Sequence, residues 1–352
     1  MSGFRLAVKD NIDVAGLPTT NGLQAWRNRI ASRDAAIVAK LKAAGWTVVT
    51  KTLMDEAAFG ALGDNPWYGR VHNPHRHGYT AGGSSAGSAA AVAKGDADLA
   101  LGTDTLGSVR IPASYCGVVG YVPSAGMVPM QGLVPLAPSF DRLGFFTRTV
   151  REMVAFTDSG SDPTPRRVGA LTRDENVLHA ALRLAEAGYT TFPIDTTKFD
   201  WGALRRAMLL QIEVEAAPML LPLPDLSAPL RAAMQFGKNA SPERLARAKA
   251  TMDAARSTIR QWMGDALLLL PATPGPAFPF DAPTPVDQAD YMTLSSLLGL
   301  PALSVPAPVP AGELPIGVQL VGPAWSDLRL IDIAYELEQT GVLPGFITPP
   351  GF

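Results

Sequence analysis

Twice along this chain a short β-type run leads into a helix that stops at glycine and returns to a second β-type run. Residues Arg5 to Val8 are the first such run; Asp34 caps an apolar-periodic stretch carried by Ile37, Val38 and Leu41, which ends at Gly45 before Trp46 to Val49. The pattern recurs at Arg167 to Leu171, Val177 to Ala187 with Gly188, and Tyr189 to Ile194. Alternation of this kind predicts an α/β fold with a largely parallel sheet, because a parallel return needs a crossover of about helix length. Trp201 to Ala266 reads as helical, Leu267 to Leu270 as a buried strand, Gly317 to Val321 as β-like and Asp327 to Gln339 as a helix, with proline-rich loops in the C-terminal part.

A chain of 352 residues, 47% hydrophobic and 18% charged, buries roughly three quarters of its unfolded surface, which excludes a disordered chain. Its 30 basic and 32 acidic side chains give a formal net charge of −2, without the electrostatic footprint of a nucleic-acid or anionic-membrane partner. A single cysteine, Cys116, rules out an internal disulfide and suits a reducing compartment. With no apolar stretch of signal-peptide length before Lys9 and Asp10, the expected location is the cytoplasm. Apolar runs are short or, as at Leu297 to Pro310, broken by proline, so no membrane span is expected. No linker and no repeat period divides the sequence, and one domain over residues 1–352 is the expectation.

Two stretches break the regularity. Gly82-Gly-Ser-Ser-Ala-Gly-Ser and Gly102-Thr-Asp-Thr-Leu-Gly-Ser-Val-Arg-Ile-Pro-Ala read as loops that feed helices. Backbone N–H groups at a helix start have no partner within the helix, so small residues there bring several donors against an anion or a developing oxyanion. A phosphate cradle lacks the required glycine and lysine spacing in both loops. Gly83-Ser84-Ser85-Ala86-Gly87 fits the nucleophile-elbow pattern, but His75-Arg-His-Gly-Tyr-Thr-Ala before it is not the buried strand an elbow needs, and only His179 lies downstream as a base. His72, His75 and His77 fall in what reads as a solvated, irregular loop, so no metal site is assigned. Serine chemistry without histidine remains: a lysine serves as base when burial lowers its pKa, and Lys9, at the end of a β-type run, is either held inward for that task or a strand-end surface residue.

These two blocks, together with Ala7-Val-Lys-Asp-Asn-Ile-Asp-Val, resemble the amidase signature family of serine hydrolases in order, composition and the 24 positions from Ser84 to Ser108. Further similarity lies at Lys51-Thr-Leu-Met-Asp-Glu, Ser139-Phe-Asp-Arg-Leu-Gly and Gly299-Leu-Pro-Ala-Leu-Ser-Val-Pro. It spans nearly the whole chain except about residues 160–260, a variable segment that on this resemblance shapes the substrate pocket. The first 160 residues look most like bacterial and plant small-amide hydrolases, including the indole-3-acetamide hydrolase type. The resemblance implies a single α/β domain whose mixed, largely parallel sheet is covered by helices on both faces. It implies Ser108 as acyl-enzyme nucleophile, Ser84 as a bridging serine after a cis peptide at Gly83, and Lys9 as neutral general base. The N–H groups of Thr105, Leu106, Gly107 and Ser108 would form the oxyanion hole, Asp104 and Arg110 would pair to hold the loop, and Ser85 would support the site by hydrogen bonding. No cofactor is implied.

Two departures from the family pattern stand out. Leu106 replaces a usual glycine, which strains the loop if that position needs positive φ. Lys9 lies nine residues from the start, so the N-terminal helices usual in the family are missing, and a homo-oligomer is one way to cover the surface they would bury. The implied activity is hydrolysis of a small carboxamide to carboxylate and ammonia or amine. The alternatives are a glutamine-hydrolysing A-type subunit of a tRNA-dependent amidotransferase, a carbamate or ureido hydrolase, and a catalytically silent scaffold of the same fold.

Overall fold

The structure, a computed structural model, describes residues 4–157 and 167–350. Its N-terminal unit is strand β1 (Phe4–Lys9), helix α1 (Ala36–Ala43) and strand β2 (Trp46–Thr52), and β1 and β2 are parallel neighbours. Two short hairpins follow, β3 (Asp64–Asn65) with β4 (Gly69–Arg70), and β5 (His72–Asn73) with β6 (Arg76–Thr80). Helix α2 (Ala86–Ala93) then leads to β7 (Leu99–Asp104), α3 (Arg110–Cys116), β8 (Val119–Val122), β9 (Arg142–Thr147) and α4 (Val150–Thr157). The second strand–helix–strand unit is β10 (Arg167–Ala170), α5 (Glu175–Glu186) and β11 (Thr190–Pro193). Three helices, α6 (Trp201–Leu220), α7 (Ala228–Lys238) and α8 (Pro242–Met263), make up the helical segment, and β12 (Leu267–Pro271), α9 (Thr293–Leu298), β13 (Ala302–Pro306), β14 (Gly317–Val321) and α10 (Asp327–Gln339) complete the described chain.

Ten strands form one mixed sheet in the order β11-β10-β12-β14-β13-β8-β9-β7-β1-β2. The two strand–helix–strand units sit at its opposite edges, where the pairing is parallel; from β12 to β7 neighbouring strands run antiparallel. Strands β7, β8, β9, β12, β13 and β14 are buried along their whole length because both faces are covered, which erases the polar–apolar alternation of a half-solvated strand. Alternate residues feed two layers. Leu6, Val8, Leu99 and Leu101 join the larger core, whereas Ala7 and Ala100 pack with the small residues of α2 and α3. Those small side chains let α2 and α3 lie close to the sheet and to each other, which brings together the two loops that precede them.

Several local expectations are revised. Gly102 to Asp104 is not loop but the end of β7. Asp34 does not cap α1: Ala35 holds the cap position without a side-chain bond, and the Asp34 carboxylate accepts from the Ala15 N–H at 2.8 Å and from Lys42 Nζ at 2.8 Å, tying a loop to the last turn of the helix. Ala302 to Pro306, within the run broken by prolines, is a buried central strand, since its flanking prolines lie at strand ends where no ladder donor is needed. The histidines lie on the β5–β6 hairpin rather than in an irregular loop: the His72 and His77 rings stack 3.9 Å apart, and His75 Nε2 lies 3.0 Å from the Cys116 carbonyl. Cys116 itself is buried at the end of α3. No described helix is long and apolar enough to cross a membrane.

Candidate active site

The site lies where β1, β7 and the loops before α2 and α3 meet. Lys9 ends β1, a strand flanked on both sides, and its side chain is 0% exposed. Its Nζ lies 2.8 Å from Ser84 Oγ and 2.8 Å from Thr103 Oγ1. The buried amine therefore meets two hydroxyls. Burial pushes the Lys9 amine down from its usual range to about 7, against the opposing pull of the carboxylates Asp55, Asp104 and Asp141. Of the two alternatives left open by the sequence, the inward-facing lysine is the observed one.

Ser84 occupies the turn between β6 and α2, and the Gly83–Ser84 peptide is cis. Gly83 is required by crowding: a Cβ there would stand 2.1 Å from Asp55 Oδ2 and 2.9 Å from the Leu62 nitrogen. Ser85 links the two loops, its hydroxyl donating to the Thr103 carbonyl at 3.1 Å and its N–H donating to the Ser108 carbonyl at 3.2 Å. Ser108 follows β7 on the other loop and is 7% exposed. Lys9, Ser84, Ser85 and Ser108 are thus brought into one neighbourhood.

Asp104 and Arg110 are both fully buried and form a two-pronged pair, with Arg110 Nη2 donating to Asp104 Oδ1 at 2.8 Å and Arg110 Nε to Asp104 Oδ2 at 3.1 Å. Burial alone would raise the Asp104 carboxyl, but the Arg110 guanidinium, aided by Arg142, more than reverses this and holds it well below the usual carboxylate range. Arg110 also donates to the Met292 carbonyl, Ser296 Oγ and Gln319 Oε1, anchoring the loop to α9 and β14. Replacing Arg110 by Met strands a buried carboxylate, so the thermal unfolding midpoint is expected to fall by roughly 5 °C, from a loss of about 3–5 kcal/mol. A drop of less than about 2 °C in a melting curve would show the pair to be dispensable.

The same carboxylate corrects one expected donor. Asp104 Oδ1 accepts the Gly107 N–H at 2.8 Å, so this group faces the loop's own anchor, and Thr105, Leu106 and Ser108 remain from the expected set. The strain foreseen at Leu106 is absent, because the left-handed residue is Gly107, with φ of +103°, and not its neighbour. Gly107 is needed for a second reason: a Cβ there would meet Met292 Cγ at 2.4 Å.

Four residues of this neighbourhood were not singled out from the sequence. Thr103 contacts Lys9 directly, and Asn11 Nδ2 donates to Thr103 Oγ1 at 3.0 Å. Asp55, raised by burial to about 6, accepts the N–H groups of Leu62 and Gly63. Asp141, likewise raised by burial to about 6, accepts from Thr105 Oγ1 at 2.6 Å and from the N–H groups of Leu136 and Ala137. Thr103 and Asn11 sit inside two of the motif blocks, and Asp55 and Asp141 inside the further blocks at 51–56 and 139–144, so the signal lay in the blocks without a role attached to it.

A family profile described as Amidase matches residues 1–192 and 225–331. The chain belongs to the amidase family. Among its relatives, the A-type subunit of the Thermus thermophilus glutamyl-tRNA(Gln) amidotransferase is 32% identical over 408 aligned residues, covering 96% of this chain and 85% of the relative. The indoleacetamide hydrolase of Pseudomonas syringae pv. syringae is 49% identical over 147 residues, 42% of this chain and 33% of the relative. A solved structure described as an amidase superposes with a TM-score of 0.86 at 29% identity, covering 96% of this chain and 84% of that one. The peptide amidase of Stenotrophomonas maltophilia gives 0.82 at 26% identity, over 98% and 84%. Membership of the amidase family makes this protein an amide-hydrolysing enzyme with the mixed α/β sheet described above.

Proposed function

We propose that this amidase cleaves the C–N bond of a small carboxamide through an acyl-serine on Ser108, using Ser84 as proton relay and Lys9 as base. The observation that carries the reading is a fully buried lysine, lowered to about 7, whose Nζ meets Ser84 Oγ at 2.8 Å. A lysine in that range is neutral for a large share of molecules near neutral pH, and a neutral amine accepts a proton.

The chemistry then follows from the residues in turn. Lys9 takes the Ser84 hydroxyl proton, Ser84 Oγ takes that of Ser108, and Ser108 Oγ bonds to the amide carbon. The developing oxyanion meets the N–H groups of Thr105, Leu106 and Ser108 ahead of α3, where a preorganised donor is worth about 10²–10³ in rate. An amine leaves poorly as an anion, so the proton held on Lys9 returns through Ser84 to the departing nitrogen as the C–N bond breaks. Water releases the carboxylate by the reverse relay. The small substrate is supported by the 49% identity to indoleacetamide hydrolase over 147 residues.

Helices α6 to α8 belong to the segment expected to shape the substrate; its first residues, 160–166, lie outside the described residues. Trp201 of this segment packs against Trp262 and against Tyr291, the neighbour of Met292, and Met292 lies against Gly107. A side-chain change there is thereby linked to the Ser108 loop. A second reading, a glutamine-hydrolysing component of a larger enzyme, is favoured by the similarity to the A-type amidotransferase subunit over 96% of the chain. It predicts glutaminase activity and a partner that copurifies, whereas the small-amide reading predicts turnover by the isolated chain.

A fluorophosphonate probe is expected to give one adduct by intact mass, mapped to Ser108 and absent from Ser108→Ala. No adduct on the wild-type chain, or an equal adduct on the variant, would remove the proposed nucleophile.

A further inference from the structure

Two hydroxyls touch the proposed base, and only that of Ser84 has been given a role. Thr103 Oγ1 lies as close to Lys9 Nζ as Ser84 does, 2.8 Å, and accepts Asn11 Nδ2–H at 3.0 Å. Asn11 follows β1 by two residues and is 2% exposed. The carbonyl of Val134 lies 3.5 Å from the same Nδ2, which fixes the donor side of the amide toward Thr103 and Val134. Asn11 Oδ1 is consequently left buried with no partner among the described residues. The two Nδ2 contacts, to Thr103 and to Val134, give the asparagine one explanation, fixing the chain that follows β1.

Hydrogen bookkeeping supplies the other explanation. A neutral lysine amine has two N–H groups and one lone pair. To take the Ser84 proton, that lone pair must face Ser84 Oγ, so its N–H groups must point elsewhere, and Thr103 Oγ1 is the other acceptor in contact. Once protonated, the ammonium has only donors, and Ser84 and Thr103 are its two oxygen partners. The Asn11 amide only donates through Nδ2, so it holds the Thr103 oxygen, by one lone pair, at the position from which the other serves Lys9. We propose that Asn11 and Thr103 form a positioning pair that aims the Lys9 lone pair at Ser84 and supports the ammonium formed after proton transfer. This inference rests on Lys9 as the base.

The test compares Asn11→Leu, Thr103→Val and Thr103→Ser with the wild type, measuring kcat/KM against pH on an amide and on the matching aryl ester, together with thermal unfolding. Asp55, Asp104 and Asp141, the carboxylates that face Lys9, are unchanged in every variant. Thr103→Val is expected to lose about 10- to 100-fold on the amide, more than on the ester, with the acid limb moved to lower pH because the ammonium has lost an acceptor. Thr103→Ser restores both. Asn11→Leu moves the rate and the limb in the same direction as Thr103→Val; a merely structural asparagine would lower the unfolding midpoint and leave the limb of the folded enzyme in place. Wild-type limb position and amide-to-ester ratio in both Asn11→Leu and Thr103→Val overturn the inference, and so does a Ser variant as impaired as Val. If Lys9→Ala retains amide turnover, the base assignment itself fails. If Lys9→Ala is inactive while the Asn11 and Thr103 variants behave as wild type, only the positioning pair fails.

Discussion

Ser108→Ala is expected to lower kcat/KM for a carboxamide by on the order of 10⁶-fold, the scale on which loss of a serine nucleophile from an interdependent set has been felt elsewhere. The variant should fold as the wild type does, because the backbone contact of Ser108, its carbonyl accepting the Ser85 N–H, survives the change, and φ at the neighbouring Gly107 is untouched. Ser84→Ala should lose nearly as much, and the double variant little more than either alone, since a relay with one member missing is already broken. Steady-state rates on one amide, with the melting midpoint beside them, decide the matter. If Ser108→Ala kept activity within tenfold of wild type, the nucleophile would lie elsewhere; if the double variant lost the product of the single losses, Ser84 and Ser108 would act independently.

The edges of this fold were legible in the sequence and its centre only in part. The units around α1 and α5 announce themselves because one short strand, one helix and one glycine stop fall close together, and they form the two parallel flanks of the sheet. Of the middle strands, Leu267 to Leu270 and Gly317 to Val321 read as β-like, but the others give no such signal. Leu99-Ala-Leu-Gly-Thr-Asp has neither alternation nor turn residues before Gly102, because both of its faces are buried, and its last three residues read as loop although they are the strand end that carries Thr103 and Asp104. Ala302 to Pro306 is masked by its prolines in the same way.

For the site, resemblance reached what spacing did not. Nothing local to Lys9 tells that its amine turns inward; that depends on β2 and β7 covering β1 from both sides, a long-range fact. The Asp104–Arg110 pair was expected from the resemblance, and the structure shows it closed across the start of α3. That Gly107 gives its N–H to Asp104 was not readable, because the four-residue donor set differs only in which N–H the loop turns inward. Thr103 and Asn11 escaped because a hydroxyl and an amide next to conspicuous residues read as ordinary polar filler until distances assign them partners.

Lys9→Ala should separate amide from ester hydrolysis. Both reactions need a hydroxyl deprotonated, but only the amide also needs a proton delivered to its leaving nitrogen, since an aryl oxide departs unaided. Loss of the lysine is therefore expected to cost about 10³- to 10⁴-fold on an amide and about 10- to 100-fold on the aryl ester of the same acid. Equal losses on both would contradict proton return to nitrogen and leave Lys9 as a base for attack alone. The pH profile carries the sign. Burial lowers the amine to about 7, and only its neutral form accepts the Ser84 proton. Wild-type kcat/KM on the amide should accordingly fall as pH drops below about 7 and level off above it, for kcat/KM reports the free enzyme. In Lys9→Ala the limb near 7 disappears, and any remaining dependence belongs to Asp55 and Asp141, which burial raises to about 6. Asp55→Asn gives the internal control: it removes a carboxylate that pulls the amine upward, so the amide limb should move to lower pH while the lysine and its two hydroxyl partners stay in place. A limb that moved to higher pH in Asp55→Asn, or that persisted unchanged in Lys9→Ala, would assign the titration to another group.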